Sequence, residues 1–189
     1  MKNEFRKKAI AIREKQDYFN QCQNSILITE RLLSIDCIKK ADTIMLYLDF
    51  NNEVKTDKLV QNLISMGKRV VSPISVKETR ELLPYEIKDL NSNIKISDYG
   101  IREPDPQTSQ YIDPKEIDVV IVPAIAFDKN GFRLGYGAGF YDRFLITLRD
   151  DAITVGVAFE LQVFDEIPIE EHDVKLDYIV TENRTINPK

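Results

Sequence analysis

Apolar residues recur at helical spacing from the start of the chain: Phe5, Ala9 and Ile12, then Phe19, Cys22, Ile26 and Leu33. Side chains three or four positions apart share one face of a helix, so this spacing predicts two amphipathic helices before Asp36. The pattern then changes. Thr43 to Phe50, TIMLYLDF, is β-branched and apolar and reads as a strand. KLVQNLISM follows as a helix, with Thr56 or Asp57 as its N-cap and Gly67 as its C-terminal stop. RVVSPIS reads as the next strand. Strand, helix, strand is a βαβ unit, and parallel sheets built that way have both faces covered by helices.

From about Lys77 to Pro114 the periodicity weakens. LLPYEI predicts a short strand, and NSNIKISDYGIREPDPQ, rich in turn formers, predicts a long loop over the sheet. Val119 to Phe127, VVIVPAIAF, is apolar without alternation, as expected of one central strand buried on both faces. Beyond a glycine-rich segment, FYDRFLITL reads as a helix, TVGVAFE as a strand, IPIEEHD as a loop and LDYIVTE as a last strand. No internal repeat or low-complexity linker interrupts this order. The expected fold is a three-layer α/β/α arrangement with a mostly parallel central sheet, Rossmann-like, as a single domain over residues 1–189. Ligands of such open sheets bind at the carboxyl ends of the strands. Asn51 to Glu53, Asp128 to Gly139 and the stretch around His172 are expected to converge there.

Composition narrows the function classes. A net charge of -5 opposes nonspecific binding to nucleic acid, so any polyanion must be held by a local cluster of Lys and Arg, and the expected partner is small. No apolar run approaches the roughly 20 residues that span a bilayer. MKNEFRKKAIAIREK lacks the apolar stretch of a secretory signal and carries Glu4 and Glu14, which predicts a cytoplasmic protein. Cys22 and Cys37 have neither metal-ligand spacing nor enough partners for a disulfide framework, and are expected to be reduced, partly buried thiols.

Four of the seven glycines, Gly131, Gly135, Gly137 and Gly139, fall between the buried strand and the helix that follows it. Glycine lets backbone N–H groups approach a phosphate closely, and a helix N-terminus adds a partial positive charge. The spacing is neither the dinucleotide fingerprint nor a Walker A loop, because Phe140 stands where Lys and Ser/Thr would be needed. A flexible structural loop would use glycines the same way; Arg133 and Arg143 favour an anion, since Arg meets phosphate oxygens bidentately. Asp142 and Asp173 suit Mg²⁺, which is commonly bound by one or two carboxylates together with substrate phosphates and water. Each aspartate taken alone is more often a cap or a surface charge. Lys2 and Arg6 share a helix face, which taken alone is most often just solvated surface; Glu53 is a surface carboxylate or an acceptor for a ligand's amino groups. Tyr136, Phe140 and Tyr141 offer aromatic surface to a flat heterocycle or to the core. His172, the only histidine, receives no catalytic role.

With these residues in view, the chain closely resembles the 5-formyltetrahydrofolate cyclo-ligase family, the methenyltetrahydrofolate synthetases, over nearly its whole length. The most specific stretch is Val122 to Leu145, VPAIAFDKNGFRLGYGAGFYDRFL, supported by KNEFR, the NEVKT around Glu53, GIREP, AFELQ and IPIEEHD. The resemblance implies conversion of 5-formyltetrahydrofolate to 5,10-methenyltetrahydrofolate, dependent on ATP and Mg²⁺. It implies ATP contacts from Lys2, Asn3, Glu4, Phe5 and Arg6 and from Arg133, Leu134, Gly135, Tyr136, Gly137, Ala138, Gly139, Phe140 and Tyr141. It places folate against Leu48, Glu53, Tyr136, Gly137, Ala138, Gly139 and Phe140, Mg²⁺ on Asp142 and Asp173, and catalytic roles on Arg133 and Tyr141. The chain departs from the family's common wording at Ala124, at Leu82 and Leu83, and at Ala138, where the absence of a lysine leaves Arg133, Lys2 and Arg6 to supply charge. No obligate protein partner, nucleic acid or membrane is implied. The alternative readings are a binding module of similar fold that senses a sugar phosphate or nucleotide, which would not need paired Mg²⁺ aspartates, and a different phosphotransferase that uses the same loop on another small acceptor.

Overall fold

A computed structural model describes residues 1–97, 100–171 and 173–188. The helices α1 (Lys2–Arg13), α2 (Tyr18–Ser34) and α3 (Asp36–Lys40) come first. Then follow β1 (Thr43–Leu46), α4 (Asp57–Ser65), β2 (Arg69–Val76), β3 (Glu81–Ile87), β4 (Ile94–Ile96) and β5 (Arg102–Pro104). The second half contains β6 (Val119–Pro123), β7 (Ala126–Asp128), β8 (Arg133–Leu134), α5 (Phe140–Leu145), β9 (Ile153–Val157), β10 (Val163–Phe164), β11 (Tyr178–Val180) and β12 (Thr185–Ile186). Among the described residues no helix is long and apolar enough to cross a membrane.

The main sheet runs in the order β12, β11, β9, β6, β1, β2, β3. Strands β11, β9, β6, β1 and β2 are parallel, while β12 and β3 close the two edges antiparallel. Successive side chains of a strand point to opposite faces. Ile44 and Leu46 of β1 accordingly join the core under α2, α3 and α4, whereas Met45 joins the core under α5. Val119 and Ile121 divide from Val120 and Val122 in the same way. These two apolar cores, one on each face, make the expected three-layer α/β/α architecture.

Strand β1 leads through α4 to β2 on one side, and β6 then pairs on the other side of β1 and continues toward β9. The direction of winding reverses between β1 and β6, and the crevice at the carboxyl ends of two such strands is where open sheets bind ligands.

Two expectations are corrected. The run Val119 to Phe127 is not one strand: it ends in the main sheet at Pro123 and resumes as β7 in a small sheet ordered β10, β7, β8. Proline cannot donate to a ladder, and the buried Gln162 amide donates to the carbonyls of Ala124 and Ile125 at 3.1 and 3.0 Å, satisfying the backbone where the chain changes sheets. Helix α1 packs on this small sheet through Ala9, Phe5 and Ile10 against Ile125, Ala126 and Leu134. The segment expected as a long loop contains the β4–β5 ribbon, and β3 is a full partner of β2 through seven registered pairs. Gly67 ends α4 as expected, with a φ of +77°. Cys22 and Cys37 are half-buried free thiols.

Candidate active site

A cavity of about 620 Å³ opens at the carboxyl ends of β1 and β6, lined by Tyr47, Leu48, Phe50 and Glu53 after β1 and by Pro123 of β6. One end is formed by Lys2 and Arg6 of α1, by Arg133 of β8 and by the chain from Leu134 to Asp142. Leu82 of β3 and Ser72 and Pro73 of β2 form a wall, and Lys77, Arg80 and Arg102 add further cationic lining.

The glycine segment is shaped around α1. Arg6 donates through Nε to the carbonyl of Gly135 at 2.8 Å, and a Cβ on Gly137, whose φ is +102°, would stand 3.3 Å from the Arg6 guanidinium carbon. Glycine there permits both the backbone turn and the close passage of the cation. Gly131 differs: it closes a turn with Asp128 outside the cavity lining, where Asp128 accepts from the N–H groups of Asn130 and Phe132. Arg143 also differs from expectation. Its Nη1 donates to the carbonyls of Ala138 and Gly139 at 3.1 Å, so it ties the loop to α5 and does not line the cavity.

The carboxylates expected to hold a metal face this cavity already engaged with cations. Asp142 accepts from Nη2 of Arg133 at 2.8 Å, and Arg133 is only 6% exposed. Asp173 pairs with Lys2 at 2.8 Å and accepts from the N–H of Glu170. Among the described residues no group of three or more His, Cys, Asp or Glu side chains is placed to hold a metal. Two separate carboxylates bordering one cavity fit Mg²⁺ that arrives with phosphates, because that ion keeps most of its shell as water and phosphate oxygen. His172 lies outside the described residues.

The other end is a buried carboxylate among aromatic rings. Glu53 is 8% exposed; its Oε2 accepts from the N–H of Phe50 at 3.0 Å and its Oε1 accepts from the Tyr136 hydroxyl at 3.3 Å. Burial raises the Glu53 carboxyl above its ordinary value, against the opposing pull of the Phe50 N–H, Arg13 and Tyr136. Burial, and next the Glu53 charge, push the phenols of Tyr136 and Tyr141 up, so both are hydrogen-bond donors at neutral pH. The buried Tyr141 hydroxyl has no hydrogen-bond partner among the described residues, and Tyr141 is one of the residues that line the cavity. A donor left unsatisfied inside a protein is costly unless a ligand completes it.

The fold therefore brings Lys2, Arg6, Leu48, Glu53, Arg133 to Tyr141, Asp142 and Asp173 to one cavity. Three residues read with Lys2 and Arg6 do not line it. Asn3 accepts from Arg6, Glu4 pairs with the chain's amino terminus, and Phe5 packs edge-on against Phe164 with ring centroids 4.9 Å apart. Sequence reasoning missed Tyr47, Phe50, Arg102 and the residue directly behind the site, Arg13. Arg13 had a legible signal: Lys2, Arg6, Ala9 and Arg13 recur at four-three-four spacing, one stripe of α1.

These features define an α/β protein whose described residues form a crevice with a cationic, glycine-rich end and, at the other end, a buried carboxylate beside tyrosines. The family model for the 5-formyltetrahydrofolate cyclo-ligase family matches residues 1–182, and the chain belongs to that family of ligases. The 5-formyltetrahydrofolate cyclo-ligase of Haemophilus influenzae is 32% identical over 166 residues, covering 87% of this chain and 89% of that protein. The cyclo-ligase of Escherichia coli K12 is 31% identical over 155 residues, 82% of this chain and 85% of that one. The solution structure of 5,10-methenyltetrahydrofolate synthetase from Aquifex aeolicus superposes with a TM-score of 0.87 at 29% identity, covering 100% of this chain and 93% of that one.

Proposed function

We propose that this chain closes 5-formyltetrahydrofolate to 5,10-methenyltetrahydrofolate, with ATP cleaved to ADP and phosphate in the presence of Mg²⁺. The observation that carries this reading is the shared cavity, in which Tyr136 reaches the buried Glu53 while its neighbours Gly135 and Gly137 lie against Arg6 at the cationic end. The chemistry requires two ligands to meet. A formamide carbon is a weak electrophile until its oxygen is turned into a leaving group. The formyl oxygen attacks the γ-phosphorus and the bond to ADP breaks. N10 then adds to the activated carbon, the carbon–oxygen bond breaks, and the departing phosphate takes up the N10 proton. A formyl oxygen carries no proton, so the first step needs no general base, in keeping with tyrosines that stay protonated.

Phosphoryl transfer depends on alignment and charge neutralisation. Arg6, Arg133 and the N–H groups from Gly135 to Gly139 would hold the phosphates, with Lys2 behind them. Held by Asp142 and Asp173, Mg²⁺ would neutralise charge on the phosphoryl oxygens. The Tyr141 hydroxyl would donate to the reacting groups, and Glu53 would accept from the N–H groups of the reduced pterin. Incubation with ATP, Mg²⁺ and 5-formyltetrahydrofolate is expected to give methenyltetrahydrofolate absorbance and ADP in equal amounts. Folded protein that yields neither overturns the reading; nucleotide or sugar phosphate bound without turnover would favour a sensing module instead.

A further inference from the structure

Arg13, at the end of α1, is 3% exposed, and its one side-chain hydrogen bond among the described residues runs from Nη2 to the Tyr136 hydroxyl at 2.8 Å. Its guanidinium carbon stands 5.9 Å from the centre of the Tyr136 ring. Its Nε and Nη1 have no hydrogen-bond partner among the described residues. A buried guanidinium with most of its donors unsatisfied is a poor way to stabilise a fold, since desolvating a charge costs several kcal/mol that one hydrogen bond does not return. Such an arrangement points to a role in the site. The next group in the chain of contacts supplies one: the same Tyr136 hydroxyl that accepts from Arg13 donates to Glu53, 83 residues away in sequence.

We propose that Arg13 is a positioning residue for the folate-side carboxylate: acting through the Tyr136 hydroxyl, it fixes how Glu53 is presented to the pterin and supplies the counter-charge that carboxylate needs. This rests on the proposed function only for the identity of the ligand. The groups that face Glu53 come from four directions: Arg13 on α1, Tyr136 on the glycine segment, Tyr141 on α5, and Tyr47 and Asp49 on the chain leaving β1. Arg13 is the cation among the groups that act on this carboxyl, and it works against burial and Asp49, which raise it. Through Tyr136 the contact also joins α1, which bears Lys2 and Arg6 at the phosphate end, to the carboxylate at the other end.

The direct test follows the Glu53 carboxyl by carbon NMR in the substrate-free protein, its signal assigned with Glu53→Gln. Removing the counter-charge in Arg13→Met is expected to raise the pH at which Glu53 ionises, and Arg13→Lys to return it part of the way. Identical midpoints in parent and Arg13→Met would overturn the proposal, whatever the chain's activity. Where Arg13→Met does not fold, Tyr136→Phe, at a residue 55% exposed overall, interrupts the same relay and should shift the midpoint in the same direction. In catalysis the acid limb of kcat/KM for 5-formyltetrahydrofolate moves to higher pH. The folate KM at neutral pH rises about tenfold, the scale of one charged hydrogen bond, with the ATP KM unchanged. A rise confined to the ATP KM would place Arg13 with the phosphate end and overturn the assignment.

Discussion

The two ends of the cavity solve opposite electrostatic problems. At the glycine end, the cations Lys2 and Arg133 are paired with Asp173 and Asp142 at 2.8 Å, so charge is balanced before any ligand arrives. At the aromatic end the Glu53 carboxylate is buried beside the Tyr136 hydroxyl, and the cation that acts on it, Arg13, is bonded to that same hydroxyl. On the proposed function the first end would exchange partners, an incoming phosphate taking over a cation while a metal takes over its carboxylate. The second would be completed by N–H donors that replace lost water. The difference implies that substitutions at the two ends separate by substrate: one set moves ATP and metal, the other moves folate and its pH dependence.

The largest separation is expected at Arg133. Arg133→Ala removes a buried cation and strands Asp142, and should lower kcat/KM for ATP by roughly 1.5 to 3 kcal/mol, about 10- to 100-fold. Steady-state kinetics with each substrate varied in turn, beside a circular dichroism spectrum of the variant, checks this; an equal loss in the folate KM would break the division between the ends. Next comes Glu53→Gln. Because burial raises this carboxyl, folate use in the parent should be present above its ionisation and be lost as pH falls through it. The variant should raise the folate KM by about tenfold at neutral pH and abolish the acid limb, leaving ATP kinetics unmoved. A persisting acid limb would assign that titration to another group.

The same division governs what the sequence reveals. The glycine end is largely one contiguous segment from Arg133 to Asp142, so composition and spacing expose it without knowledge of the fold. The aromatic end is assembled from α1, the loop after β1, the β2–β3 hairpin and the glycine segment, and local spacing carries no trace of that assembly. Glu53 was legible as a candidate; Arg13 showed only its place on the stripe of Lys2, Arg6 and Ala9, and a basic residue on an amphipathic helix reads as solvated until α1 is known to lie on the small sheet. The parallel sheet followed from apolar runs and helix signals. The change of sheet at Pro123 was hidden because its cause is Gln162, 38 residues from the Ala124 carbonyl it satisfies. Arg143 was over-read for the converse reason: a cation beside glycines satisfies the loop's own carbonyls.

A smaller effect is expected at Asp142, where the charge is removed and the shape kept. Asp142→Asn should raise the Mg²⁺ concentration needed for half-maximal rate several-fold, on the order of 1 kcal/mol, because a metal with few protein ligands depends on each. The thermal midpoint should stay near the parent's, since the asparagine oxygen can still accept from Arg133. Coincident Mg²⁺ titrations of parent and variant would remove Asp142 from the metal site and leave it as the partner of Arg133 alone.

The smallest change tests whether the glycine end is exchangeable because it is close to α1 or merely because it is charged. Gly137→Ala adds one carbon at a φ of +102°, with the Arg6 guanidinium carbon 3.3 Å away. The backbone strain is about 1 kcal/mol, and the neighbour is a flexible side-chain end, so the variant should fold with a slightly lowered thermal midpoint. Its cost to function should exceed its cost to stability: Arg6 has to move off the loop, and the hydrogen bond to the Gly135 carbonyl goes with it. The expected result is a few-fold rise in the ATP KM, equivalent to about 1 kcal/mol, with the folate KM and its acid limb at parental values. If stability falls and both substrates are used as before, the approach of loop and helix serves the fold, and charge alone accounts for the phosphate end.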